Sequence, residues 1–188
     1  MMKQAGIGLS LYGLLMIPPV VHFLESVMLF HMLVQLPLLI VAGWLMGGIF
    51  IGKFINFFTK WNASGIPGIL LFIIITMYWM LPRVLDEAVS LWYMELFKFI
   101  SLPFLAGLCL RDSWCKLKIV GKSFVYLNYL PMFGLMAWLY IDTPIQICNN
   151  YLEDQQKVLG WGFLFITICM IIYILQQVFS DQSETPNH

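Results

Sequence analysis

Between residues 22 and 35 the chain sets imidazole, carboxylate, thioether and amide side chains at helical spacing inside an apolar stretch. At about 100° per residue, Glu25, Met28, Met32 and Gln35 share one narrow face, His31 lies beside Met28 and Gln35, and His22 begins the stripe. Groups of this kind at membrane depth cost free energy, so they mark function more often than surface groups do. Imidazole and thioether donors suit a soft cation such as Cu(I). The plainer reading is hydrogen bonding between helices, in which His and Gln join partners in lipid. Met77 and Met80 share a face later in the chain, and Met80 is the further candidate donor, weighed against the common use of Met to fill apolar packing.

Other chemistry finds less support. A bis-histidine haem needs ligands on opposing helices. His22 and His31 lie on one segment, about 13 Å apart if it is continuous helix, the remaining histidine is His188 in the tail, and mixed His/Met ligation stays open with no methionine singled out for it, so no haem is expected. Glu95 and Lys98 stand at i, i+3 and read as an intramembrane ion pair whose lysine stem snorkels. A proton or ion path would need a chain of such groups, and the last two apolar stretches supply only Asn128, Thr167 and Gln176. No nucleophile with its base, phosphate-cradling glycine loop or paired carboxylates appears, so the chain does not read as an enzyme. The four cysteines are isolated from one another and form no zinc or redox motif.

The elements that must position these residues follow from composition. Of 188 residues, 61% are apolar and 11% charged, with a mean hydropathy of +0.85. A soluble domain carries about 25% charge. Disorder, a disulfide scaffold or a nucleic-acid binder would need polarity, cysteines or basic charge that this chain lacks. It reads as an all-α, polytopic transmembrane bundle of about six helices, one domain over 1–179 with a polar cytoplasmic tail over 180–188.

Helix 1 spans Ala5 to about Phe23, broken at Pro18 and Pro19, and is expected to be retained rather than cleaved as a signal peptide. Helix 2 runs from about Ser26 to Gly47, and Lys53 to Gly65 is a mixed connection. Helix 3 begins at Pro67 and ends near Pro82, and Arg83 to Leu91 forms a short interfacial helix. Helix 4 spans Tyr93 to Leu110 with a kink near Pro103, and Arg111 to Lys122 is the most basic loop. Helix 5 spans Ser123 to Ile141 with a kink at Pro131, Asp142 to Lys157 is the longest polar loop, and helix 6 spans Val158 to Phe179.

The zero net charge resolves into opposed faces. The two termini and the 2–3 and 4–5 loops together carry seven bases against three acids, +4, and the other face carries two bases against six acids, −4. By the positive-inside rule both termini are cytoplasmic, and the sequon at Asn62 falls inside, where it carries no glycan.

Three segments together resemble the CtaG-type cytochrome c oxidase assembly factors of bacterial membranes. YWMLPRVLDEAV (Tyr78 to Val89) is similar to that family's tryptophan-histidine-x-proline stretch, with Trp79, Pro82, Asp86 and Ala88 in step. LEDQQKVLGW (Leu152 to Trp161) resembles its acidic DQQ motif through Asp154, Gln155 and Gln156, and HMLVQLPLL (His31 to Leu39) resembles its histidine-methionine motif. The family's histidines are replaced at Gln35, Met80, Glu95 and Phe99. The resemblance implies a multi-pass protein of the bacterial inner membrane that assists a copper-containing oxidase through copper handling or complex assembly. His22, His31, Met28, Met32 and Met80 remain as possible copper ligands. The alternative is a non-catalytic structural subunit of a larger membrane complex, which the lost histidines and the 16% aromatic content favour. Either way the expected surroundings are membrane lipids and a multi-subunit membrane complex, not nucleic acid.

Overall fold

Two prolines set the first bend. Pro18 and Pro19 lack the backbone N–H needed to continue a helix, and the residue before a proline is held extended. Ile17 is extended at φ −67°, ψ 124°, and helix α1 (Met2–Leu15) gives way there to α2 (Pro18–Glu25) with a bend of 72°. The computed structural model describes residues 2–142, 148 and 150–183, and among them the chain is nine helices with no strand. Part of the predicted 142–157 loop and the last five residues of the predicted tail lie outside the described residues.

Val27 is extended, and α3 then runs over Met28–Lys53. Two short helices follow at nearly a right angle, α4 (Ile55–Trp61) and α5 (Ile66–Trp79), bent by 91°. Gly65 between them takes φ +76°, a left-handed conformation in which a side chain would be strained. The predicted 53–65 connection therefore holds a helix of its own. The expected interfacial helix is α6 (Pro82–Ser90), which buries Val84, Leu85 and Ala88.

The longer rods are α7 (Trp92–Trp114), α8 (Ile119–Asp142) and α9 (Glu153–Ser183). The predicted basic loop 111–122 is thus mostly helix, and so are residues 153–157 and 180–183. Among the described residues four helices are long and apolar enough to cross a membrane, and each bent pair counted as one span raises this to six. The chain is a multi-pass membrane protein with an all-α architecture. At 14 residues, α1 and α5 are each about 21 Å long, short of a roughly 30 Å hydrocarbon core.

Prolines also shape the long helices. Pro37 follows a π-helical turn over His31–Gln35, in which the N–H of Leu36 bonds the carbonyl of His31. Pro103 lies inside a second, over Ser101–Gly107, where the N–H of Leu108 bonds the carbonyl of Pro103. A missing donor and a ring that crowds the preceding turn favour this wider winding. Pro131 is taken up within one continuous helix.

α1 and α7 both pack on α3, α5 packs on α7, and α8 pairs with α9. The crossing of α3 and α7 is backbone to backbone. A Cβ on Gly43 would collide with the carbonyl of Pro103, and one on Gly107 would lie 2.6 Å from that of Ile40. Aromatic rings fill the α8–α9 seam, with Phe163 stacked between Phe133 and Tyr140.

Candidate functional site

Glu25 ends α2, and the chain must turn through Ser26 and Val27 before α3 begins. The predicted stripe is therefore not one face of a single helix. The turn nevertheless delivers Glu25 to the same place: Gln35 Nε2 donates to Glu25 Oε1 at 3.5 Å, and Lys98 Nζ of α7 donates to the same oxygen. The Lys98 side chain is completely buried and that of Glu25 is 10% exposed. This corrects the expected pairing of Lys98 with Glu95. Lys98 points into the bundle, where removal from water makes a close counter-charge necessary, while Glu95 sits partly exposed on the side of α7 that faces a groove.

His31 is fully buried in the π turn. The Tyr151 hydroxyl donates to the backbone carbonyl of Glu25 at 2.9 Å, so its 2.8 Å contact with His31 Nδ1 is one in which it accepts. That fixes the proton on Nδ1 and leaves Nε2 as a bare lone pair. Nε2 is buried and has no hydrogen-bond partner among the described residues, and the same holds for Gln35 Oε1 one turn on. Orphaned acceptors of this kind are uncommon in native interiors. Burial, the Glu25 carboxylate and then Cys148 and Asp86 push the Tyr151 hydroxyl above its ordinary value, so it stays protonated and keeps both bonds.

The motif residues gather around this network. Asp86 Oδ1 accepts the N–H of Asn150 at 3.0 Å, and the Asp86 carbonyl accepts the Asn150 side chain at 3.0 Å. Gln155 Oε1 accepts the N–H of Met28 at 3.3 Å, satisfying an open donor in the first turn of α3. Gln156 is buried, with Nε2 3.5 Å from the carbonyls of Cys148 and Tyr151. Trp79 is fully buried and donates to Ser101 Oγ at 2.9 Å, and Pro82 opens α6. Asp154 alone among them is exposed, in the first turn of α9.

The five candidate copper ligands lie on three elements. Met28 and Met32 are buried on α3 with His31, whereas His22 faces the groove from α2 and Met80 caps the far end of α5. Among the described residues no three His, Cys, Asp or Glu side chains are placed to hold a metal. The donor chemistry that remains, one neutral imidazole nitrogen with thioethers on the same helix, suits Cu(I), and the Nδ1 bond to Tyr151 is the support that a ligating imidazole needs. Glu25 is held by Lys98. The groove, of about 760 Å³, lies between α2 and the first turns of α7.

A second polar cluster sits at the opposite end and escaped the sequence reading. Asn62 is fully buried: its Nδ2 donates to Asp112 Oδ2 at 2.7 Å and Ser113 Oγ at 2.9 Å, and its Oδ1 accepts the N–H of Gly68 at 2.9 Å. Lys116 closes the cluster through Asp112 at 2.7 Å and the Asn62 carbonyl at 3.0 Å. These bonds tie the α4–α5 bend to the end of α7. The one local hint was the i, i+4 spacing of Asp112 and Lys116. No known family, curated protein or solved structure matches the chain.

Proposed function

We propose that this protein is a non-enzymatic assembly or accessory factor of the CtaG type, serving a copper-containing oxidase of the bacterial inner membrane. One observation carries the reading: each of the three segments that resemble the family, far apart in sequence, is hydrogen-bonded at one end of the bundle to a residue within three positions of another of them. His31 bonds Tyr151, Asp86 holds Asn150, and Gln155 holds the start of α3. Motif residues that hold the flanks of other motifs across three elements are what a retained fold requires.

His31 Nε2, with the Met28 and Met32 sulfurs, would hold the ion, and Tyr151 orients the imidazole. Copper bound there would be cargo for the oxidase. The chain's own part is to keep that lone pair deprotonated and away from water. Copper should copurify under reducing conditions with the wild type and be lost from a His31→Ala, Met32→Ala double variant. No copper in either form would remove the metal half of the proposal.

A second reading, a permanent structural subunit, is favoured by one fact: Asp86, Gln155 and Gln156 are all engaged in internal contacts. Purification in mild detergent separates the two. A constant stoichiometric complex supports the subunit, and transient capture of an oxidase supports the assembly factor.

A further inference from the structure

We propose that the groove between α2 and α7 binds a phospholipid whose headgroup ends in a primary ammonium, as in phosphatidylethanolamine. This goes beyond the copper reading and does not depend on it. The charge in the groove is unbalanced. Glu25 lines it, but Lys98 neutralises that carboxylate from the protein side. Glu95 lines it as well, partly buried, and forms no ion pair among the described residues, since Lys98 reaches it only at longer range. A carboxylate half out of water and without a counter-charge is costly, and a cation entering the groove relieves that cost.

The walls select an amphiphile over a soluble amine. Val21, Val89, Leu96 and Phe99 supply apolar surface, and Trp92 stands at the rim, 75% exposed. Trp92 is the first residue of a membrane-length helix, the level at which tryptophan rings and lipid headgroups meet. Exposed His22 also lines the groove, and its ring N–H can donate to a phosphate oxygen. An ammonium on Glu95, a phosphate on His22 and acyl chains along the apolar wall match a zwitterionic lipid by charge. An anionic headgroup would bring its charge against Glu95.

Native mass spectrometry of the delipidated full chain tests this, with phosphatidylethanolamine, phosphatidylcholine and phosphatidylglycerol of equal chain length as probes. The wild type should bind phosphatidylethanolamine over phosphatidylglycerol by about fivefold, equivalent to about 1 kcal/mol. Phosphatidylcholine, with no N–H to donate, should fall between them. Glu95→Gln should erase the preference and Glu95→Lys should reverse it, while Trp92→Ala should weaken all three lipids alike. A preference that survives Glu95→Gln would overturn the proposal. Equal competition by phosphoethanolamine without acyl chains would overturn the lipid assignment, as would displacement of bound lipid by a lysine-rich peptide.

Discussion

Lys98 carries the sharpest consequence at the scale of single residues. Its ammonium is fully buried and its counter-charge comes from another helix, so the two side chains must be judged together. Removing one partner of a buried ion pair strands the other charge and costs about 3–5 kcal/mol, whereas removing both is often nearly neutral. Lys98→Met should therefore lower unfolding stability in detergent far more than the Glu25→Gln, Lys98→Met double variant, in which Gln35 still has an oxygen to bond. Additive losses in the double variant would show that the two side chains act independently. The types of residue in this network were legible in the sequence, because ionisable groups are rare in apolar helices and stand out there. The pairing was not. Glu95 is three positions from Lys98 along one helix, while Glu25 is 73 positions away and becomes its neighbour only through the bend at Ser26 and Val27. Asn62 was illegible for the same reason, since Asp112 and Ser113 lie 50 and 51 positions on.

At the scale of elements, apolar length gave the positions of the rods, and proline gave the places where they change. Pro18 and Pro19 break a span as expected, and Pro103 winds its helix wide, but the equivalent turn before Pro37 had no marker beyond the proline itself. The right angle between α4 and α5 was hidden because residues 55–61 are too short and too mixed to read as a helix. Both π turns lie on the two helices whose backbones cross at Gly43 and Gly107. Small residues permit that approach, as is common between helices in lipid. Gly43→Ala should cost about 1–3 kcal/mol, the usual range for forcing atoms into a packed site. Gly13→Ala is the control. A Cβ at Gly13 meets nothing within 4 Å, and its thermal transition in micelles should be unchanged within about 0.5 kcal/mol. Equal shifts for both variants would mean that the helix crossing is not what the glycine serves.

For the molecule as a whole, charge is the property that the sequence disclosed and packing made spatial. The acid-rich end gathers Glu25, Asp86 and Tyr151, and the base-rich end gathers Asp112 and Lys116 around Asn62, with Arg111 on the carbonyls of Trp44 and Leu45. The 24-residue α8 joins these ends and separates them by about 36 Å, enough to cross a bilayer. Positive charge is retained on the cytoplasmic side during insertion, so the base-rich end should face inward. Two cysteines outside the spans report on this. Cys115 is exposed between α7 and α8, at the base-rich end. Cys148 is buried at the acid-rich end, and burial, then the Asp86 carboxylate, push its thiol up to about 12. The thiolate is the form that reacts, so a raised value slows alkylation throughout the neutral range. A membrane-impermeant maleimide at neutral pH should leave intact cells unlabelled and should modify Cys115 once the membrane is opened, with Cys148 protected in both conditions until the protein is unfolded. A cysteine placed at exposed Glu153, at the acid-rich end of α9, should react in intact cells. The reverse pattern, Cys115 labelled first and Glu153→Cys only after lysis, would invert the orientation. It would also put the acid-rich end and the His31 network on the cytoplasmic side, so that cargo would have to arrive from within.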